Sequence, residues 1–125
     1  MNRVVRALLG IAGLLAVLVA FGFWFDPDTL AGRFGIAAQG ALGYSTLRAD
    51  FGALFGGVGL LAIASAVRNS ARLLSAPLLL IGIGFGGRLL TIALAGYGAT
   101  MLQPMVVEIV LIALFATGRK LLPAQ

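Results

Sequence analysis

No cysteine and no histidine occur in the 125-residue chain. Their absence excludes disulfides, thiolate chemistry, imidazole metal sites, axial histidine ligation of haem and histidine-based acid–base catalysis. Charge is scarce as well, at 10% of residues, where an ordinary soluble domain carries about 25%. The remaining carboxylates are Asp26, Asp28, Asp50 and Glu108, and the first three fall near the expected edges of apolar runs. From this inventory we expect no metal site, no cofactor and a non-enzymatic protein.

What the chain has in abundance is apolar surface: 61% of its residues are hydrophobic and the mean hydropathy is +1.09. Such values predict an all-α integral membrane protein, a single four-helix transmembrane bundle over residues 1–125. The net charge of +5 is no sign of nucleic-acid binding, because the basic residues sit in short runs beside apolar segments rather than in a stripe. The expected partner of most of the surface is the lipid bilayer.

Four spans are predicted, at about 7–25, 50–67, 74–96 and 103–117. The first follows Arg3 and Arg6 and stops at Asp26, Pro27 and Asp28. A signal peptide shares the basic start and apolar run, but this run is longer than a usual signal core. Bulky Phe21 to Phe25 also stand where a cleavage site needs small residues. Trp24 and its phenylalanine neighbours suit a membrane–water interface. Between the first two spans, Leu30, Phe34, Ala37, Ala41 and Tyr44 recur at helical spacing, while Gly32, Gly35, Gly40 and Gly43 argue against a long helix. We expect a short surface helix there, with a re-entrant segment as the alternative. Pro77 is tolerated in the first turn of the third span.

Arg3, Arg6, Arg68, Arg72, Arg119 and Lys120 fall on one side of this arrangement, and only Arg33 and Arg48 on the other. The positive-inside rule then places both termini in the cytoplasm.

One basic residue breaks the pattern, since Arg88 lies inside the third span. An arginine at that depth costs roughly 2.5 to 3.5 kcal/mol on insertion scales and needs a partner or a wet cavity. Glu108, in the fourth span, is the candidate partner. Counted from the hairpin between the two spans, Arg88 lies about 12 Å and Glu108 about 7.5 Å below the outer end, a difference that an arginine side chain can bridge. Thr91 is one turn from Arg88 on the same face, and Arg48 and Asp50 bring two more charges to the outer end of the second span. The expected cluster is Arg48, Asp50, Arg88, Thr91 and Glu108, and it has two readings. It is a structural ion-pair cluster that fixes helix register, or it lines a cavity for a lipid-like or quinone-like molecule.

Glycine supplies the other organised pattern. Gly52 and Gly56 in the second span, and Gly82 and Gly86 in the third, have GxxxG spacing, which lets helix backbones approach closely. Packing of the second span on the third is expected, with homo-oligomer contact as the alternative. GIGFGG at 82–87 lacks the strand and downstream acid of a dinucleotide fingerprint, so that reading is rejected.

FDP after the first span, LRADFGALFGGVGLL in the second, GGRLLTIALAGYG ending the third and PMVVEIVL in the fourth resemble a bacterial family of small four-helix membrane proteins. That family is known only as a domain of unknown function and is distantly similar to DoxX-like proteins. The resemblance covers about residues 25–114 and implies recurring charged positions at Arg48, Arg88 and Glu108. It also implies an accessory role beside quinone-linked oxidoreductases, in which this chain would have no redox group of its own. The expected function is that of an accessory or scaffold subunit, packing against other membrane proteins or itself. The alternative is a binder or carrier of a lipid or quinone at Arg88 and Glu108.

Overall fold

Long apolar runs without internal proline, broken by Asp-Pro-Asp, Arg-Asn-Ser and Gly-Tyr-Gly, leave the backbone little choice but helix between those breaks. The computed structural model describes residues 2–124 and contains helices and no strand among them. Helix α1 is Asn2–Phe25, α2 is the short Pro27–Arg33, and α3 runs without a break over Gly40–Arg68. Helix α4 is Ser75–Ala95 and α5 is Leu102–Leu121, each entered through one turn of 3₁₀ helix. Four of these segments are long and apolar enough to cross a membrane.

Helices α1 and α3 form the tightest pair. Along α1 the buried positions Val5, Leu9 and Gly13 recur every four residues, a single stripe laid against Val58, Gly59 and Ala62 of α3. At the crossing two glycines meet. A Cβ on Gly13 would stand 2.6 Å from the Gly59 carbonyl oxygen, and one on Gly59 would stand 2.6 Å from that of Gly13. Backbone therefore touches backbone there, and no larger residue fits without separating the helices.

The ends of α3 are specified locally. Asn69 turns left-handed at φ 54° and stops the helix. Arg6 of α1 donates from Nε to the Ala66 carbonyl at 2.7 Å and from Nη2 to the Val67 carbonyl at 3.3 Å, satisfying acceptors that the helix end leaves open. The Ser65 hydroxyl donates to the Ser70 carbonyl, and the Ala71 amide donates to the Pro123 carbonyl. This end of the molecule holds the start of α1, the end of α5 and one core, built from Leu9, Ala62, Leu74, Phe115 and Leu122. We call it the terminal end.

A second, aromatic core lies at the distal end. Phe23 is fully buried, with ring centroids 5.7 Å from Phe34, 5.1 Å from Phe51 and 5.7 Å from Phe55. These residues come from α1, the turn after α2, and α3. None comes from α4 or α5.

The hairpin α4–α5 consequently docks at one end only. Its buried residues are Pro77, Ile81, Phe115 and Gly118, all near the terminal end, and from Gly82 to Leu114 no residue is buried. The distal half of this hairpin buries no residue against the other helices. A closed four-helix bundle would bury a face of each helix along its whole length.

Two expectations about elements change. The segment between the first two spans is a short helix only over Pro27–Arg33, and residues 40–47 are the first turns of α3 rather than part of a surface helix. The glycines explain the division: Gly35 and Gly40 take positive φ of 74° and 64° and turn the chain, whereas Gly43 is accommodated within the helix. The glycine pairs also differ from expectation. Gly52 and Gly56 face Trp24 and Ala20 of α1, while Gly82 and Gly86 have nothing within 4 Å of where a Cβ would be. The spacing is shared by both pairs, but no residue of α4 beyond Ile81 is buried, and Gly82 and Gly86 meet no other helix.

Candidate functional site

Arg88 and Glu108 are brought together. Arg88 is seven residues before the end of α4 and Glu108 six residues after the start of α5, so the two stand within about 2 Å of the same height. Arg88 Nε donates to Glu108 Oε1 at 2.8 Å, with the arginine side chain 30% and the glutamate 15% exposed. Gly84 lies beside the second carboxylate oxygen, 3.8 Å from where its Cβ would be, and leaves room for it. Thr91 is not a member of the pair. Its hydroxyl donates to the Gly87 carbonyl one turn back, at 3.1 Å, a bond within its own helix.

Arg48 and Asp50 do not join this pair, so the expected cluster separates into two places. Arg48 lies in the π-helical segment Leu47–Phe51 at the start of the buried part of α3. Wider winding loosens the regular hydrogen-bond ladder, and here the freed Arg48 carbonyl accepts from Trp24 Nε1 at 3.1 Å. In return Arg48 Nε donates to the Trp24 carbonyl at 2.8 Å. Trp24 is the penultimate residue of α1, so the exchange ties the end of α1 to α3. Gly52 belongs to this arrangement, because a Cβ there would collide with the Trp24 indole nitrogen. Asp50 is exposed.

Around Arg48 the surface is hollowed. A trough of about 790 Å³ opens at the distal end, lined by Trp24, Phe25, Ala41, Tyr44, Arg48 and Ala49, with Ser45 between them. The Arg48 guanidinium carbon lies 5.9 Å from the centroid of the Tyr44 ring. At the far side of that ring the Tyr44 hydroxyl donates to Asp28 Oδ1 at 2.8 Å, which links α3 to α2. A smaller depression of about 340 Å³ lies at the terminal end beside Arg3 and Arg6. Neither hollow is lined by Arg88 or Glu108, and no group of three or more potential metal-ligating side chains is found among the described residues.

No family model matches the chain, and no curated protein or solved structure is significantly similar to it. Function must be argued from the geometry.

Sequence reasoning placed Trp24 at an interface without assigning it a partner. The exchange with Arg48 was hidden because both acceptors are main-chain carbonyls, which carry no residue signature. The Gly13–Gly59 crossing was missed for a different reason: Gly59 continues the Gly52 and Gly56 stripe against α1, but Gly13 has no glycine four residues before or after it to mark the facing position.

Proposed function

We propose that the chain is a multi-pass protein of a bacterial inner membrane, both termini cytoplasmic, acting as a non-enzymatic accessory or scaffold subunit. Its α4–α5 hairpin is the surface offered to a neighbouring membrane protein or a second copy. The observation that carries this reading is the run from Gly82 to Leu114, without a buried residue although it contains an ion pair. Lipid satisfies the leucines of such a hairpin but not a guanidinium whose two terminal nitrogens make no hydrogen bond among the described residues. The open Gly82 and Gly86 provide a flat strip on which another helix can approach. The unequal distribution of basic residues supports the orientation.

A photo-reactive residue placed at Ile83 or Leu94 of α4, which are 65% and 79% exposed, tests the reading in intact membranes. A protein cross-link of defined mass is expected at both positions. Leu15 of α1, 59% exposed, should give lipid adducts only. Lipid adducts at all three sites would overturn the scaffold reading, and native mass spectrometry of the gently extracted protein would then show a bare monomer.

A further inference from the structure

The trough at the distal end combines three properties that belong together. Its wall is apolar, formed by the faces of Trp24, Phe25, Ala41 and Ala49. A single cation lies in it, Arg48, whose Nε is spent on the Trp24 carbonyl. The two terminal nitrogens make no hydrogen bond or ion pair among the described residues, which leaves four N–H donors for a ligand. Because the backbone exchange with Trp24 holds Arg48 from both its ends, the guanidinium is preset rather than free to sample its many rotamers. Binding to it therefore costs little ordering entropy.

The neighbouring carboxylates do not neutralise it. Asp28 accepts from Tyr44 on the other side of the ring, and Asp50, two residues along α3, projects from another face of the helix. Ser45 donates to the Leu42 carbonyl and adds no competing donor. The π segment beneath Arg48 is an irregularity of a kind that recurs at functional sites.

We propose that this trough binds one glycerophospholipid, its phosphate diester accepting from the terminal nitrogens of Arg48 and an acyl chain lying along Trp24, Phe25, Ala41 and Ala49. The occupant follows from charge and depth. A forked cation matches a phosphate in two parallel hydrogen bonds, and the apolar wall beside it matches an aliphatic chain. The end of α1, where Trp24 and Phe25 precede Asp26, Pro27 and Asp28, is the depth at which headgroup and chain meet. A free anion would use the arginine and leave the wall unoccupied. The inference depends on the membrane setting of the proposed function but not on its scaffold role.

The test is native mass spectrometry of the full chain in a non-ionic detergent, titrated with phosphatidylglycerol or phosphatidylethanolamine of defined chain length, and separately with inorganic phosphate. One phospholipid per chain is expected on the wild type, with affinity reduced about tenfold in Arg48→Gln, the loss of a charged hydrogen bond. Ala41→Trp, which fills the exposed trough and leaves both Trp24–Arg48 hydrogen bonds in place, should lower it by a similar factor without changing the thermal midpoint. Inorganic phosphate should neither bind measurably nor displace the lipid. Should Arg48→Gln fail to fold, Ala41→Trp decides alone. Unchanged lipid affinity in Ala41→Trp, or phosphate binding as tight as lipid binding, would overturn the proposal. Loss of all cross-links at α4 with lipid binding intact would remove the scaffold role and leave this site standing.

Discussion

A single methyl group distinguishes the glycines that hold this fold from those that do not. At Gly59 an added Cβ meets main chain of α1, and at Gly86 it meets open space. Both substitutions to alanine raise helix propensity by about 1 kcal/mol, so the difference between them isolates the packing. Gly59→Ala should lower stability by about 1–3 kcal/mol, as overpacking does, whereas Gly86→Ala should leave the isolated monomer unchanged or slightly more stable. Denaturation in mixed micelles compares them directly. Arg88 and Glu108 pose a different question at the same scale, since each is expensive in lipid without the other. Both single variants, Arg88→Ala and Glu108→Ala, should be destabilised, and the double variant should recover part of the loss. We expect a coupling of about 1–3 kcal/mol in the double-mutant cycle; additive losses would show that the two charges act independently.

Among elements, α1 and α3 carry the molecule. They meet at the glycine crossing in the middle, at Arg6 on one end and at the aromatic group on the other. Phe23 is the piece that joins α1, α3 and the turn after α2. Its replacement by alanine removes a fully buried ring and should cost about 3–5 kcal/mol, freeing Phe34 and the 34–39 connection. Faster proteolysis confined to residues 26–40 would be the readout. Helix positions were legible in the sequence because apolar runs and basic turns mark them directly. The Arg88–Glu108 pairing could be anticipated from depth alone, since two charges in otherwise apolar helices have few alternatives. Where helix and turn divide between 27 and 52 was not legible: it depends on which glycine adopts positive φ, and a glycine takes either sign at little cost. The separation of Arg48 from Arg88 was equally hidden, because the hydrogen bonds that hold Arg48 to Trp24 end on main-chain carbonyls.

At the scale of the whole molecule the two ends differ in charge as well as in packing. Arg3, Arg6, Arg68, Arg72, Arg119 and Lys120 belong to the terminal end, and the carboxylates Asp26, Asp28 and Asp50 to the distal end. Since the chain has no cysteine, single substitutions report topology cleanly. Thr100→Cys, in the distal turn, should react with a membrane-impermeant maleimide added to intact cells. Arg72→Cys should react only after permeabilisation. The reverse labelling would invert the orientation proposed above, and equal labelling of both would end the multi-pass reading.

The two cores also set an order of assembly. Every residue of the aromatic group and of the glycine crossing has been synthesised by Arg68, so α1 and α3 can close on each other while α4 and α5 are still on the ribosome. The terminal core is different, because it waits for Phe115 and Leu122, and the Ala71 amide waits for Pro123. Residues 115–123 are therefore the latch of the α4–α5 hairpin, and a nascent chain stalled before Phe115 would leave that hairpin unfastened from the helices made first.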